Sequence, residues 1–490
     1  MMGCTIAYRL AFSLLGLLLS ILVSPLHCSA QSPFQAVPGL IDIRTSFSDS
    51  PHAMEEIVML ARSRGFRVVF FNDHDRLALS YGVFPFRRLL AYRKDFPSIL
   101  TNGPGIYLDE VNRLARRYPD MILIPGCITS PYYYWTGSWL KGDLTVHQYD
   151  RRLLIVNLNR PEDYKCIPII GNGLSLRYTH RLIPGLVLFV IPLFIGLILM
   201  GWKGITRGSG LFIVCISILA VVDYNPFRSS MFSPYDGDQG IAPYQQVIDY
   251  VKERGGLCFW NYPGQLSGER KYGPIFVNTP PYPEVLHQSS NYTGFSAIYG
   301  DRITLTEPGN GWDRTLNEYC HGSRQNPPWG ISTADFHEDG RLGMRLGAFP
   351  TTFLVRDFSK KAILEAMAKG RMFCSRGDGQ AWPRFDYFSV QGSNEQKAFM
   401  GQTLTTAHPP LIRFRVSTNS GKPQRMSLLL IRGGKLLKTF DMEQPMEVEY
   451  SDPEAPPGEM TFYRLMDRNK SLVSNPIFVQ YLPGGRNGRP

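Results

Sequence analysis

Apolar and polar positions along the chain fall into three patterns. From 38 to 160, short apolar runs alternate with stretches of helical spacing. "GLIDIR" reads as a strand, and "AMEEIVMLARSRGF" sets Met54, Ile57, Val58 and Ala61 on one helical face before stopping at Gly65. "RVVFFND" predicts a buried strand. "YLDEVNRLARRYP" predicts a helix with Leu108, Val111, Leu114 and Ala115 on one side, and "MILIPG" and "RLLIVNLN" predict further strands. The same alternation resumes at 241, with helices in "APYQQVIDYVKERGG" and "SKKAILEAMAKG" and strands in "LCFWNYP" and "WGISTADFH". Repeated units of this kind predict a parallel sheet or a barrel, with its chemistry at the C-terminal ends of the strands. From about 385 the period becomes two. In "LIRFRVS", Ile412, Phe414 and Val416 alternate with Arg413 and Arg415, and "SLLLIRGGKLLKTF" reads as a hairpin turning at Gly433-Gly434. An immunoglobulin-like β-sandwich over 385–482 is expected, followed by a disordered tail, 483–490.

Two apolar blocks interrupt this order. Residues 1–30 carry Arg9, an apolar stretch from Leu10 to Val23 and the small residues Cys28 and Ala30, the pattern of a signal peptide or an N-terminal anchor. Mid-chain, "LIPGLVLFVIPLFIGLILMGW" (182–202) has no charged residue and is long enough to span a bilayer. "GLFIVCISILAVV" (210–222) is short for a span unless it starts earlier, near Gly208. The block 182–222 is therefore expected to be a transmembrane hairpin, the other reading being a buried helical hairpin of a soluble protein. Lys203 and Arg207 in the short connecting loop place that loop in the cytoplasm. Segments 31–181 and 223–384, which share the alternating pattern, then face the extracytoplasmic side together with 385–482.

Composition narrows the partners. Of 490 residues 44% are apolar and 19% charged, which suits globular domains outside the membrane, and the formal charge of +11 favours membrane lipid or an anionic small molecule. No basic run is interleaved with aromatics and no phosphate loop or zinc-finger spacing occurs, so no nucleic acid is expected. Cys127, Cys166, Cys258, Cys320 and Cys374 lie outside the apolar blocks; that number is odd, so at least one should be unpaired. Cys127 and Cys258 read first as buried structural thiols.

Three stretches at the ends of predicted strands combine carboxylates with histidines: "SFSDS" (Asp49), "NDHDR" (Asp73, His74, Asp75) and "TADFH" (Asp335, His337). Asp335 and His337, two apart, share one side of an extended strand. Imidazole nitrogen with carboxylate oxygen suits zinc, manganese or iron. Each stretch alone reads as a turn or a cap; three of them at strand ends of one pattern point to a site.

The order and spacing of these stretches resemble the PHP (polymerase and histidinol phosphatase) superfamily. Its members open with D-x-H-x-H-T-x-x-S-D-G, continue through a helix to a strand ending T-D-H-D, and later carry G-x-E, N-H-P and S-D-x-H. "LIDIRTSFSDS", "FFNDHD", "PGCITS", "WNYPG" and "TADFH" follow that course. "AILEAMAKGRMFCS" and "SNPIFV" resemble the carbaryl-hydrolase-like metallohydrolase branch, which has a β-sandwich after the barrel. The resemblance implies an α/β fold: a PHP-type distorted (β/α)7 barrel, here interrupted by the transmembrane hairpin. It also implies that Asp49, His74 and His337 match one metal site, with Asp335 surviving from the others. The paired histidines of the opening are replaced by Asp42 and Arg44, or by Arg44 and Ser46. Ile128 stands for the bridging glutamate and Tyr262 for the histidine of N-H-P. The last family histidine falls near "YDRRLLIV", which offers arginines.

Isoleucine cannot bridge two ions, so the implied site is reduced to one divalent transition metal or none. Asp73 would act as a base or support the ligands. Arg44 would hold an anionic substrate, or else pair with Asp42 or Asp335 to fill an abandoned site. Tyr262 would donate a hydrogen bond to a bound oxyanion, or merely fill space. Two functions follow: a membrane-tethered, extracytoplasmic metal-dependent hydrolase of the phosphoester type, or a catalytically inactive envelope protein that binds a ligand or partner.

Overall fold

The structure is a computed structural model and describes residues 33–340, 345–392 and 396–482. The expected signal peptide or anchor, 1–30, and the tail, 483–490, lie outside the described residues.

The N-terminal strands follow from runs of buried apolar residues. β1 (Gln35–Ile43), β2 (Val68–Phe71) and β5 (Ile122–Thr129) pair in parallel, with Leu40, Val69 and Ile124 inside. Helix α1 (Met54–Ser63) joins β1 to β2 and buries Met54, Ile57, Val58 and Ala61, the face its sequence spacing predicts. Helix α2 (Pro104–Arg117) precedes β5 and buries Leu108, Val111 and Leu114, with Ala115 half-buried beside them. Between them a small hairpin, β3 (Leu77–Gly82) and β4 (Ala91–Phe96), leaves the sheet.

The next strand runs the other way. β8 (Arg152–Val156) is antiparallel both to β5 and to β9 (Leu257–Asn261). Short strands β6 (Tyr134–Thr136) and β7 (Thr145–His147) intervene, and they pair in a side sheet with β10 (Glu269–Tyr272) and β11 (Ile275–Asn278). The run continues in parallel through β12 (Gly294–Ile298) and β13 (Trp329–Ser332). Its two ends meet just past β13. Ala334 N–H donates to Ile41 O at 3.2 Å, Phe336 N–H to Asp42 O at 3.1 Å, and Arg44 N–H to Phe336 O at 3.0 Å. One strand order, β13-β12-β9-β8-β5-β2-β1, is thereby joined end to end.

β1 also begins a second path. Its first half pairs antiparallel with β14 (Pro350–Val355), which leads through β15 (Met372–Ser375) into the C-terminal strands. Those strands form two layers, touching through Phe414–Phe440 and Phe373–Phe385 with ring centroids 5.4 and 5.3 Å apart. In one layer Ile412, Phe414 and Val416 point inward, as the alternation predicts. The other layer is continuous with β14 and β15, and the described residues from Gln35 onward form one compact unit.

Two long helices leave the sheet between β8 and β9. α3 (Thr179–Met200) and α4 (Ile205–Tyr224) are long and apolar enough to cross a membrane. α4 starts at Ile205, so the second block is longer than its uncharged core suggests. The helices meet at two glycines: a Cβ on Gly196 would lie 2.9 Å from Gly210 O, and one on Gly210 would lie 2.7 Å from Gly196 O. Small residues permit this approach. The outer faces are bare, with Leu188, Ile198 and Phe212 all well exposed, unlike a buried core hairpin.

Candidate functional site

The candidate site lies where the ends of β1, β2, β9 and β13 come together. Its centre is Arg44, wholly enclosed just past β1. One terminal nitrogen of the guanidinium donates to Asp42 and, at 2.7 Å, to Asn72 O; the other donates to Asp335 Oδ1 at 3.1 Å. Its Nε lies 3.7 Å from Asp49 Oδ1 and makes no hydrogen bond. Burial works against this charge, but Asp42, Asp335 and Asp49 more than restore it and hold the guanidinium protonated.

The other oxygen of Asp49 faces two imidazoles. Oδ2 lies 3.5 Å from His74 Nε2 and 3.3 Å from His337 Nδ1. His337 Nε2 in turn meets Asp335 Oδ1 at 3.2 Å. Burial alone would raise the Asp49 pKa, yet His337, His74 and Arg44 hold it well below the usual carboxylate range. His74 is pushed down to about 4, chiefly by burial and against its contact with Asp49. His337 also feels burial, but Asp335 and Asp49 outweigh it and lift the imidazole to about 9. One histidine is therefore neutral at pH 7 and the other carries a proton.

The segment carrying Asp49 is strapped down by Asp73. That carboxylate is fully buried and accepts from Thr45 N at 2.7 Å, Thr45 Oγ1 at 2.8 Å and Ser48 Oγ at 2.6 Å. Both oxygens are engaged and the carboxylate is buried, which ties the segment to the end of β2. Asp75 is also enclosed, and burial raises its carboxyl to about 8. Asn72 links the strands: its Oδ1 accepts from Asp42 N at 3.0 Å and its Nδ2 donates to Ile155 O at 3.1 Å. Gly126 makes room for this, because a Cβ there would lie 2.6 Å from Asn72 Nδ2 and 2.3 Å from Ile155 O.

Backbone strain gathers at the same place. Asp42, Tyr262 and Asp335 have φ of +68°, +48° and +45°. Such conformations cost roughly 1–3 kcal/mol each and persist where the surroundings enforce them, commonly at functional sites. Tyr262 follows β9 beside Asn261, whose Nδ2 donates to Asp42 Oδ2 at 3.1 Å. The Tyr262 hydroxyl is buried without a hydrogen-bond partner. Ile128 is fully buried and bridges to His74 through the backbone.

Arg152 is a residue that reading the sequence did not single out. Because β8 runs antiparallel, its first residue lies opposite Asn261, at the end of the sheet that carries the site. Its positive charge acts on His74, Asp335 and Asp49. One terminal nitrogen pairs with Asp150 at 2.8 Å, while Nε is buried without a partner. The only sequence signal was the pair of arginines in "YDRRLLIV", where the PHP-type pattern has histidine.

The thiols belong elsewhere. Cys127 and Cys258 are buried, and burial pushes both well above the usual thiol range, which leaves them unreactive. All six described cysteines are free. His147 stacks on Tyr134 in the side sheet and takes no part in the site.

The donor types suit a single metal ion. Carboxylate-to-imidazole separations of 3.3 and 3.5 Å match the spacing of ligands about 3.4 Å apart around a tetrahedral ion with bonds near 2.1 Å. Among the described residues, however, no group of three or more His, Cys, Asp or Glu side chains is placed so that it could hold a metal ion. The cluster is a salt-linked network in which Arg44 holds both Asp49 and Asp335.

No protein-family model matches the chain, and no curated protein sequence matches it. Solved structures resemble it at low identity. A two-domain protein from Bacteroides vulgatus, containing a predicted PHP-like metal-dependent phosphoesterase, is 12% identical with a TM-score of 0.37 over 89% of this chain and 91% of its own. An amidohydrolase from Chromobacterium violaceum, with bound sulfate and no metal, is 12% identical with a TM-score of 0.28 over 62% of this chain and 88% of its own.

Proposed function

We propose that the protein is a membrane-tethered, extracytoplasmic hydrolase of the phosphoester type, built on a PHP-type distorted (β/α)7 barrel with a reduced metal site. The observation that carries this reading is the approach of Asp49 Oδ2 to both His74 and His337 beside two arginines. Asp49, His74 and His337 would hold one ion of zinc, manganese or iron, which when bound supplies a Lewis acid and an activated water. Asp335, on the far nitrogen of His337, orients the ring and is a supporting residue before it is a ligand. Arg44 is a fixed cation in place of the lost ligands, and its terminal nitrogens are already committed. Arg152, whose charge acts on His74, Asp335 and Asp49, is then the cation left for an anionic substrate, with Tyr262, whose hydroxyl has no partner, as a second donor. Asp73 keeps Asp49 in place. His337 carries a proton at neutral pH, and its Nδ1 would have to give that proton up to serve as a ligand.

A second reading, an inactive envelope module that binds a ligand or partner, is favoured by one feature: Arg44 already neutralises the carboxylates a metal would use. Metal analysis of the purified chain separates the two. The hydrolase reading expects about one tightly held ion per chain, lost in His74→Ala and His337→Ala. It also expects turnover of aryl phosphate esters, with Arg152→Gln raising KM about tenfold or more. Metal-free protein, equally stable in both histidine variants, leaves only the binding module.

A further inference from the structure

A second basic site lies where α3 and α4 enter the folded part of the chain. A cavity of about 940 Å³ opens there, lined by residues at the end of α4, by the β3–β4 turn and by the segments flanking the helices. Arg87, Arg88 and Arg228 all line it. None of the three forms an ion pair among the described residues. Arg87 stacks on Tyr235, its guanidinium carbon 4.2 Å from the ring centroid. Arg88 donates to Tyr224 O at 2.6 Å and caps the C-terminus of α4. Arg228 donates to Met231 O at 3.1 Å, while its Nε is buried and unpartnered.

Two carboxylates also line the cavity, each with one oxygen bonded to backbone N–H, and their charges favour the protonated arginines. Asp223 accepts the backbone N–H groups of Arg88 and Leu89 at 2.7 and 2.9 Å. Asp236 accepts from Ser233 N at 2.9 Å. Burial, together with the charge of Arg228, brings Arg88 down to about 10, and burial lowers Arg228 as well. An anion in the cavity would relieve both effects.

The rim is apolar where the cavity meets the helices. Phe84 on the β3–β4 turn and Leu174 ahead of α3 line it and are 76% and 77% exposed. Exposed apolar side chains beside arginines, at the foot of two lipid-length helices, form the surface expected at a bilayer interface. We infer that this cavity binds the phosphate of an anionic phospholipid, with Arg87, Arg88 and Arg228 around the head group and Phe84 and Leu174 against the acyl chains. The inference rests on the membrane-tethered part of the function proposed above and is independent of the Arg44 site. It holds for whichever leaflet the folded part meets.

The test uses the full chain reconstituted in vesicles of phosphatidylcholine, with or without phosphatidylglycerol. Lipid retained through detergent washing is extracted and counted by head group. Phosphatidylglycerol is expected to be enriched over its share of the vesicles. Arg88→Gln and Arg228→Gln should each lower that enrichment about fivefold, as one basic residue near an anionic surface contributes. Circular dichroism checks that the variants fold, and Arg87→Gln, whose side chain stacks on Tyr235, repeats the measurement without removing the donor that caps α4. No enrichment, or enrichment unchanged in all three variants, overturns the inference and leaves tethering intact. Stabilisation by inorganic phosphate at matched ionic strength, with no lipid enrichment, also overturns it in favour of a soluble anion. A chain that fails to enter vesicles at all overturns the tethering together with the site.

Discussion

Two groups of arginines differ in what surrounds them. Arg44 lies within ion-pair reach of Asp42, Asp335 and Asp49 and is shut off from solvent. Arg87, Arg88 and Arg228 line an open cavity and have no such partner among the described residues. Burying a charge costs several kcal/mol unless it is paired and hydrogen-bonded, so a paired, enclosed arginine is part of the fold. Unpaired arginines beside a cavity are tolerable when water or an anion reaches them. The comparison therefore assigns Arg44 to architecture and the other group to ligand binding, although both look alike as letters in a basic sequence.

Removing Arg44 is the strongest way to break that assignment. Arg44→Ala leaves Asp42 enclosed without its cation and is expected to cost about 3–5 kcal/mol in denaturant unfolding. Arg44→Lys keeps the charge but loses the fork, and should fall between the variant and the parent. A loss below about 1 kcal/mol for Arg44→Ala, in the range of a surface pair, would show that the cluster is not a structural hub. Gly126→Ala probes the same hub from the strand behind it. The new methyl meets Ile155 O and Asn72 Nδ2, and about 1–3 kcal/mol should be lost in the same assay.

Why the hub was hidden in the sequence has a physical answer. The faces of α1 and α2, the inward positions of Ile412, Phe414 and Val416, and the two lipid-length helices follow from local periodicity, and all are legible there. The meeting of Asp49 with His74 and His337 is a long-range fact, suggested only by the order of motifs that resemble a known family. Strand direction leaves almost no local trace. A buried strand reads the same both ways, so the reversal of β8 was invisible, and with it the placement of Arg152. The tasks of Asp73 and Arg44 depend on which atoms meet them, and a catalytic carboxylate and a structural one share a letter. The continuity of the C-terminal layer with β14 and β15 was hidden for the same reason, since pairing partners are not encoded in one strand alone.

A pH series sharpens the comparison from the hub side. His337 is raised to about 9 in the folded chain against about 6.5 unfolded, so its contribution is complete below pH 6.5 and lost as pH rises through 9. His74 is lowered to about 4, so its contribution is present above pH 6.5 and lost as pH falls through 4. The two histidines together therefore favour the fold most near pH 6.5, and His337→Ala should flatten the alkaline limb in thermal unfolding, leaving the loss between about pH 4 and 8 that the buried Asp75 carboxyl contributes. An alkaline limb unchanged in His337→Ala would mean that the imidazole is not held between Asp49 and Asp335.

The smallest expected effect is the most discriminating. Arg93 lines the same cavity as Arg88 and Arg228, but it is partly exposed and paired with Asp95 at 2.8 Å. If free charge selects the lipid phosphate, Arg93→Gln should change phosphatidylglycerol enrichment by less than twofold and stability by less than about 1 kcal/mol. If position alone selects it, Arg93→Gln should match Arg228→Gln. Equal losses would leave the cavity as a lipid site and discard pairing as the way to recognise it. That result would also weaken the assignment of Arg44, which rests on the same rule.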